Sequence, residues 1–280
     1  MLHIGCDEAG YGPMLGPLVV AAAVFESCGA RSRLRHPDIR DSKEIYARGG
    51  RDALARGLGP YLGLKPPVTL TGVLRKLAVR PDPRGSYEWY GEVTDPVPEP
   101  GRCPAAFRSL HLNPVCEREF NAACDGPGGK AGLLFEETMR VLRHVLAAYP
   151  DVPAEVVCDK HGGRHRYAAY LMQALCPRNL LAERESPRAS VYRLDLEGRP
   201  VRITFKPRAD VEDGPTALAS MAAKYLRELF MESFNAFFAE HIEGLRPTAG
   251  YYGDGRRFME EVEGTLRRLG IESTALVRSR

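Results

Sequence analysis

Apolar residues fall first in short runs and later in helical stripes. Residues 2–7 are apolar and end on Asp7, and Gly10, Gly12, Pro13, Gly16 and Pro17 then mark a tight turn. The unbroken run LVVAAAVF at 18–25 predicts a strand buried on both faces. Together these runs predict a hairpin with carboxylates at the end of its first strand. A weak helical stripe covers 44–62, and 68–79 reads as strand. Between 81 and 129 periodicity is lost: eight of the 22 prolines and the one tryptophan, Trp89, lie there, which predicts a loop-rich insertion. A helix follows over 132–148, with Leu134, Thr138, Val141, Leu142 and Val145 on one face. Residues 154–159 (AEVVCD) predict a buried strand ending on Asp159, and 164–175 a helix that stops before Pro177. Residues 190–196 and 200–206 alternate around Glu197-Gly198-Arg199, as a β-hairpin does. A long helix starts near Pro215 and keeps a 3.6-residue period through Leu218, Met221, Ala222, Tyr225, Leu229 and Phe237 to about 241. A glycine-rich turn at 250–255 precedes a last helix over 256–269. The order predicts an α/β fold: one domain, 1–280, built on a mixed sheet flanked by helices, with the insertion at 81–129 and an added hairpin at 190–206.

Composition narrows this little. Of the residues, 44% are hydrophobic and 27% charged, which excludes disordered and fibrous classes. A net charge of +3 permits an anionic partner without demanding one. Arginine far outnumbers the seven lysines, a bias that phosphate recognition or GC-rich coding would each produce. The seven cysteines form no CxxC pair, and Cys6 and Cys158 lie inside strand-like runs, so reduced thiols in a cytoplasmic protein are expected. No apolar stretch approaches the ~18 residues of a membrane span.

The carboxylates carry the candidate chemistry. Asp7 and Glu8 are adjacent at one strand's end, Asp159 closes another, and Asp210 precedes the long helix. Strand ends in such a sheet share a rim, so Asp7 and Asp159 can meet there. Carboxylates gathered in one cleft repel unless cations sit between them. Oxygen ligands without His or Cys spacing favour Mg²⁺ or Mn²⁺ over zinc. Two such ions can clamp the attacking and leaving oxygens of a phosphodiester. The plainer reading of any one of these residues is a turn or cap.

A longer pattern adds to this. Asp7-Glu8-Ala9-Gly10-Tyr11-Gly12-Pro13-Met14-Leu15-Gly16-Pro17 resembles the DEAGRGPLAGP signature of ribonuclease HII, and LVVAAAVF resembles the strand that follows it. Asp41-Ser42-Lys43 is similar to the DSK motif of that family. Ala209-Asp210 with Ala219-Ser220-Met221-Ala222-Ala223-Lys224 is similar to its AD…AASxxAK segment, and Gly250-Tyr251 with Asp254 to its GYPSD element. The resemblance implies a ribonuclease H-like fold and a two-metal endoribonuclease acting on the RNA strand of RNA–DNA hybrids, leaving 3′-hydroxyl and 5′-phosphate ends. It implies that Asp7 bridges two Mg²⁺ or Mn²⁺ ions. Asp210 would serve the water side, and Glu8 with Asp159 the leaving-group side. Gly10, Tyr11 and Gly12 would meet the ribose, and Lys43, Ser220, Lys224 and Tyr251 would contact the substrate.

Three departures from the family stand out: Tyr11 where the family usually carries Arg, the insertion at 81–129, and the hairpin at 190–206. His161 and His165 have zinc-like spacing but no third ligand, so surface or substrate contact is expected of them. Glu212 and Asp213 either cap the long helix or enlarge the cluster. The alternatives to a hybrid-specific enzyme are a nuclease of the same fold acting on another nucleic acid, and an RNA- or hybrid-binding module with little activity.

Overall fold

The computed structural model describes residues 1–27, 39, 41–96, 102–126 and 128–279; Cys28 and parts of the 81–129 segment lie outside this set. A seven-stranded mixed sheet runs in the order β5 (Phe107–Val115), β2 (Leu18–Glu26), β1 (Leu2–Ala9), β6 (Ala154–Asp159), β9 (Arg199–Lys206), β8 (Ser190–Leu196), β7 (Asn179–Glu185). The first hairpin is β1 (Leu2–Ala9) and β2 (Leu18–Glu26), antiparallel, with Asp7 opposite Ala21. On its other side β1 pairs in parallel with β6 (Ala154–Asp159), and β6 pairs in parallel with β9 (Arg199–Lys206). Three neighbouring strands therefore point the same way, and their C-terminal ends share one rim. β8 (Ser190–Leu196) forms the expected hairpin with β9.

The alternation of β2 explains why it is apolar throughout. Val19, Ala21, Ala23 and Phe25 face one core, and Leu18, Val20, Ala22 and Val24 face another. The first core lies under α7 (Gly214–Ala239) and α1 (Ser42–Leu62), the second under α4 (Gly129–Ala148). The start of α7 lies against Gly5 of β1, where a Cβ would collide with the backbone of Pro215 and Thr216. That approach sets α7 directly over the strand that carries Asp7.

Several elements differ from the sequence reading. Residues 68–79 hold a two-residue strand, β3 (Val68–Thr69), and then a helix, α2 (Leu70–Leu77). Leu70, Val73, Leu74 and Leu77 are buried at helical spacing, and Thr69 caps the helix by accepting from Gly72 N at 3.0 Å. The β-branched residues obscured a helical period that was present. The 81–129 segment contributes β4 (Thr94–Asp95), α3 (Glu117–Cys124) and an edge strand of the main sheet, β5 (Phe107–Val115). Pro114 is tolerated there because β5 is the edge strand, paired with β2 on one side and touched on the other only by an isolated bridge between Ala78 and Leu112. Trp89 is fully buried, in ring contact with Tyr87 and Tyr90, and Tyr90 packs edge-on against Phe230 of α7. The expected helix at 164–175 is shorter, α5 (Ala168–Leu175), and an exposed edge strand, β7 (Asn179–Glu185), follows it. A short helix α6 (Ala209–Glu212) precedes α7, and α8 (Tyr252–Leu269) ends the helical set. No helix among the described residues is long and apolar enough to cross a membrane.

The contact at Gly5 generates a stability prediction. Gly5→Ala should lower the unfolding free energy by about 2–3 kcal/mol, because the added methyl meets backbone that cannot rotate away. The midpoint of urea denaturation measures this, and an unchanged midpoint would show that α7 does not depend on that approach.

Candidate active site

The three parallel strands deliver the carboxylates. Asp7 and Glu8 lie at the end of β1, and Asp159 ends β6 beside them, one position beyond the Cys6–Cys158 pair. Lys206 ends β9 opposite Asp159, and the chain then turns through Arg208, in the left-handed region at φ 55°, to place Asp210 in α6. All four line one open cleft of about 220 Å³, together with Ala9, Gly10, Tyr11, Ser42, Lys43, Arg208, Ser220, Lys224, Arg227, Glu228 and Tyr251. The expected site residues are thus gathered, with one exception. Gly12 stands outside the wall, is exposed, and has open space where a Cβ would go. Gly10 is the constrained glycine: at φ +85° a Cβ would strike Pro17 O and the Arg227 side chain.

The electrostatics show how closely the acids share this space. Burial, then Glu8, Asp159 and Asp210, push Asp7 well above the usual carboxylate range, opposed by a hydrogen bond from Ser220. Burial, then Asp159, raise Glu8 to about 7. Burial raises Asp159, with Asp210 adding to it, and burial raises Asp210, with Asp41 adding to it. The positive charge of Lys43 opposes the shift at Glu8, Asp159 and Asp210. Among the described residues no three His, Cys, Asp or Glu side chains already stand at metal-ligating geometry. The donor set fits hard divalent cations nonetheless: it is all oxygen, and burial and then mutual repulsion raise the pKa of each member, a penalty on the charged forms that a bound cation would offset.

Neighbouring side chains fix the acids in place. The Asp41 carboxylate caps α1 by accepting from Lys43 N at 2.8 Å, which turns Lys43 towards the cleft. Ser42 is buried, and its hydroxyl lies 3.0 Å from that of Ser220, linking α1 to α7 beside Asp7. Asp159 Oδ1 accepts from Ala209 N at 3.0 Å, which ties β6 to the turn carrying Asp210. Lys224 Nζ sits 4.1 Å over the Tyr46 ring, and Tyr46 donates to Glu228 at 2.9 Å.

A buried charged set beneath the 10–16 turn was not anticipated. Arg227 Nη2 donates to Leu15 O at 3.2 Å and to Ala249 O at 3.0 Å. Arg278 donates to Gly10 O at 2.6 Å and also to Pro13 O. Glu117 is fully buried, held up at about 7 by burial, accepts from Tyr90 at 2.5 Å and is bonded by Gly16 N. Gly250 O accepts from Met14 N and Leu15 N. These partners lie 100 residues or more from the turn, and no local motif advertises them. Ser42 was within reach of the sequence, since it stands between Asp41 and Lys43.

The remaining candidates resolve away from the cluster. Asp213 caps α7, accepting from Thr216 N at 3.0 Å, and Glu212 pairs with Lys206 at 2.9 Å on the surface. His161 is not a surface group: it is buried, pushed down to about 3 by burial, and lies 3.3 Å from the Thr138 hydroxyl. His165 is 3.1 Å from Lys160 Nζ. Neither histidine lines the cleft.

Residues 4–65 match the sequence model of the ribonuclease HII family. No curated protein matches the chain. Among solved structures, ribonuclease H2 of Pyrococcus horikoshii aligns over 99% of this chain and 92% of its own, at 17% identity and a TM-score of 0.56. The ribonuclease HII of Archaeoglobus fulgidus, solved in complex with PCNA, aligns over 100% and 95%, at 19% identity and a TM-score of 0.56. The Bst ribonuclease HIII solved with Mn²⁺ aligns over 99% of this chain and 66% of its own, at 17% identity and a TM-score of 0.51. At these identities the structural matches establish the shared fold. The chain thus carries the ribonuclease HII sequence pattern over residues 4–65 and shares the fold of ribonucleases H2, HII and HIII along its length.

Proposed function

We propose that the chain hydrolyses the RNA strand of RNA–DNA hybrids, with two Mg²⁺ or Mn²⁺ ions held by Asp7, Glu8, Asp159 and Asp210. One observation carries the reading: three acids at the ends of the parallel strands β1 and β6, and a fourth on the helix just after β9, share a cleft with two lysines, where burial and mutual repulsion raise their pKa values. A carboxylate cluster beside cations suits a polyanionic substrate only when the acids themselves are neutralised by metal. The Mn²⁺ complex of the Bst ribonuclease HIII, on the same fold, is consistent with this. Bound ions supply Lewis-acid stabilisation of the phosphoryl group and lower the pKa of the attacking water.

The protein's own groups do the positioning. Ser220 holds the Asp7 carboxylate, and Ala209 N holds that of Asp159, so both acids are oriented before substrate arrives. Lys43 and Lys224 place positive charge at the wall for substrate phosphate. The Gly10 backbone lines the cleft and is fixed from below by Arg278, which supports a contact from it to a ribose 2′-hydroxyl. Tyr251, 57% exposed at the rim, offers a ring face to a neighbouring sugar or base. The six described cysteines are free, which suits a reducing cytoplasm.

Two predictions test this reading. With Mg²⁺, the protein should cut a labelled RNA–DNA hybrid and leave the matching DNA duplex intact; comparable cutting of the two would transfer the reading to another nucleic acid. Asp210→Asn should reduce hybrid cleavage by at least about a hundredfold. In EDTA the same substitution should raise Tm by about 2–5 °C, because it removes charge from a crowded site, and it should blunt the further rise that Mg²⁺ gives the unsubstituted protein. A variant that loses stability in EDTA and keeps its Mg²⁺ response would remove Asp210 from the metal set.

A further inference from the structure

Beyond the cleft wall, Tyr11 bears a cation on its ring. Lys130, in the first turn of α4, holds its ammonium 4.7 Å from the Tyr11 ring centroid and 5.9 Å from that of Phe120. Arg278 shares the Phe120 ring at 4.3 Å but is engaged with Gly10 O and Pro13 O. Lys130 makes no hydrogen bond and no ion pair with any described residue, and its ammonium faces two aromatic rings. It is half-buried, and burial together with the charge of Arg278 pushes its pKa down. A second cation, Arg164, opposes the rise that burial gives the Tyr11 hydroxyl, and its guanidinium lies 4.1 Å over the exposed ring of Tyr170. A partly desolvated lysine beside other cations, with no anion to balance it, is unfavourable in the isolated protein. It sits against Tyr11, which also lines the carboxylate cleft.

We propose that Lys130 binds a backbone phosphate flanking the cleaved one, with the Tyr11 ring as the platform between the two positions. The inference rests on the reading of the cleft as a site for an RNA–DNA hybrid. An ammonium seated on a ring keeps donors free to point outward at a phosphate, and the cation–π contact limits its wandering before the strand arrives. The neutral side chain at position 11 is thereby compensated from a helix well over 100 residues further along the chain.

The test is hybrid binding in metal-free buffer, read by fluorescence anisotropy over a salt series, with cleavage in Mg²⁺ measured in parallel. Lys130→Gln should weaken binding about tenfold. It should also flatten the slope of log K against log salt by about 0.7–0.9, the signature of one lost phosphate contact. The cleavage defect should fall on KM rather than kcat, and Lys130→Arg should restore both affinity and slope. A lysine that merely packs against Tyr11 would leave the salt slope unchanged, and that result overturns the proposal. If the unsubstituted protein binds hybrid without cutting it and the slope still falls, the phosphate contact stands while the proposed reaction fails. If it neither binds nor cuts hybrid, both fall together.

Discussion

Four carboxylates in one partly buried cleft repel one another, and much of the architecture around them keeps them there. Burial and then Asp159 raise Glu8 to about 7, so ionising it in place costs on the order of 3 kcal/mol relative to water. That cost applies above pH 7, where an ordinary glutamate is fully charged. The acids cannot relax apart, because Asp7, Glu8 and Asp159 are fixed by strand pairing and Asp210 by the turn out of β9. Under the proposed function, the stability given up at the cleft would return as affinity for cations.

The scaffold divides this task between its two faces. On one, α7 approaches β1 closely at Gly5, which puts Ser220 beside Asp7 and Lys224 on the cleft wall. On the other, α4 covers β2 and brings Lys130 to Tyr11. The 10–16 turn lies between them and is held through its backbone by Arg227, Arg278 and Glu117. Burying two guanidinium groups close together is costly, and burial pushes Arg278 down to about 10. The backbone carbonyls of Gly10, Pro13 and Leu15, turned inward, give those groups partners and receive a fixed position in return.

The main differences from the sequence reading occur where local pattern and tertiary role diverge. Residues 70–77 carry a helical period that β-branched neighbours disguised, and only burial of Leu70, Val73, Leu74 and Leu77 resolved it. β5 lies in a proline-rich stretch and contains Pro114, which argues against a strand unless that strand is at an edge. Edge position is a property of the sheet and is invisible along the chain. β7 is exposed over most of its length and has no apolar alternation to reveal it.

The sequence by itself determined the pieces whose chemistry is local. The short apolar strands β1, β2 and β6, the long helix α7, the carboxylates at strand ends and the glycine turn were all legible, because apolar runs, helical period and residue type decide them within a few residues. Tertiary structure decided what depends on distance through space. It set the parallel register that makes Asp7 and Asp159 neighbours and the reach of Ser42 to Ser220. It also set the anchoring of the 10–16 turn by Arg227, Arg278 and Glu117, and the seat of Lys130 on Tyr11. A buried arginine or an unbalanced lysine looks like any other basic residue in a sequence; its partners, or their absence, come into being only when remote segments pack together.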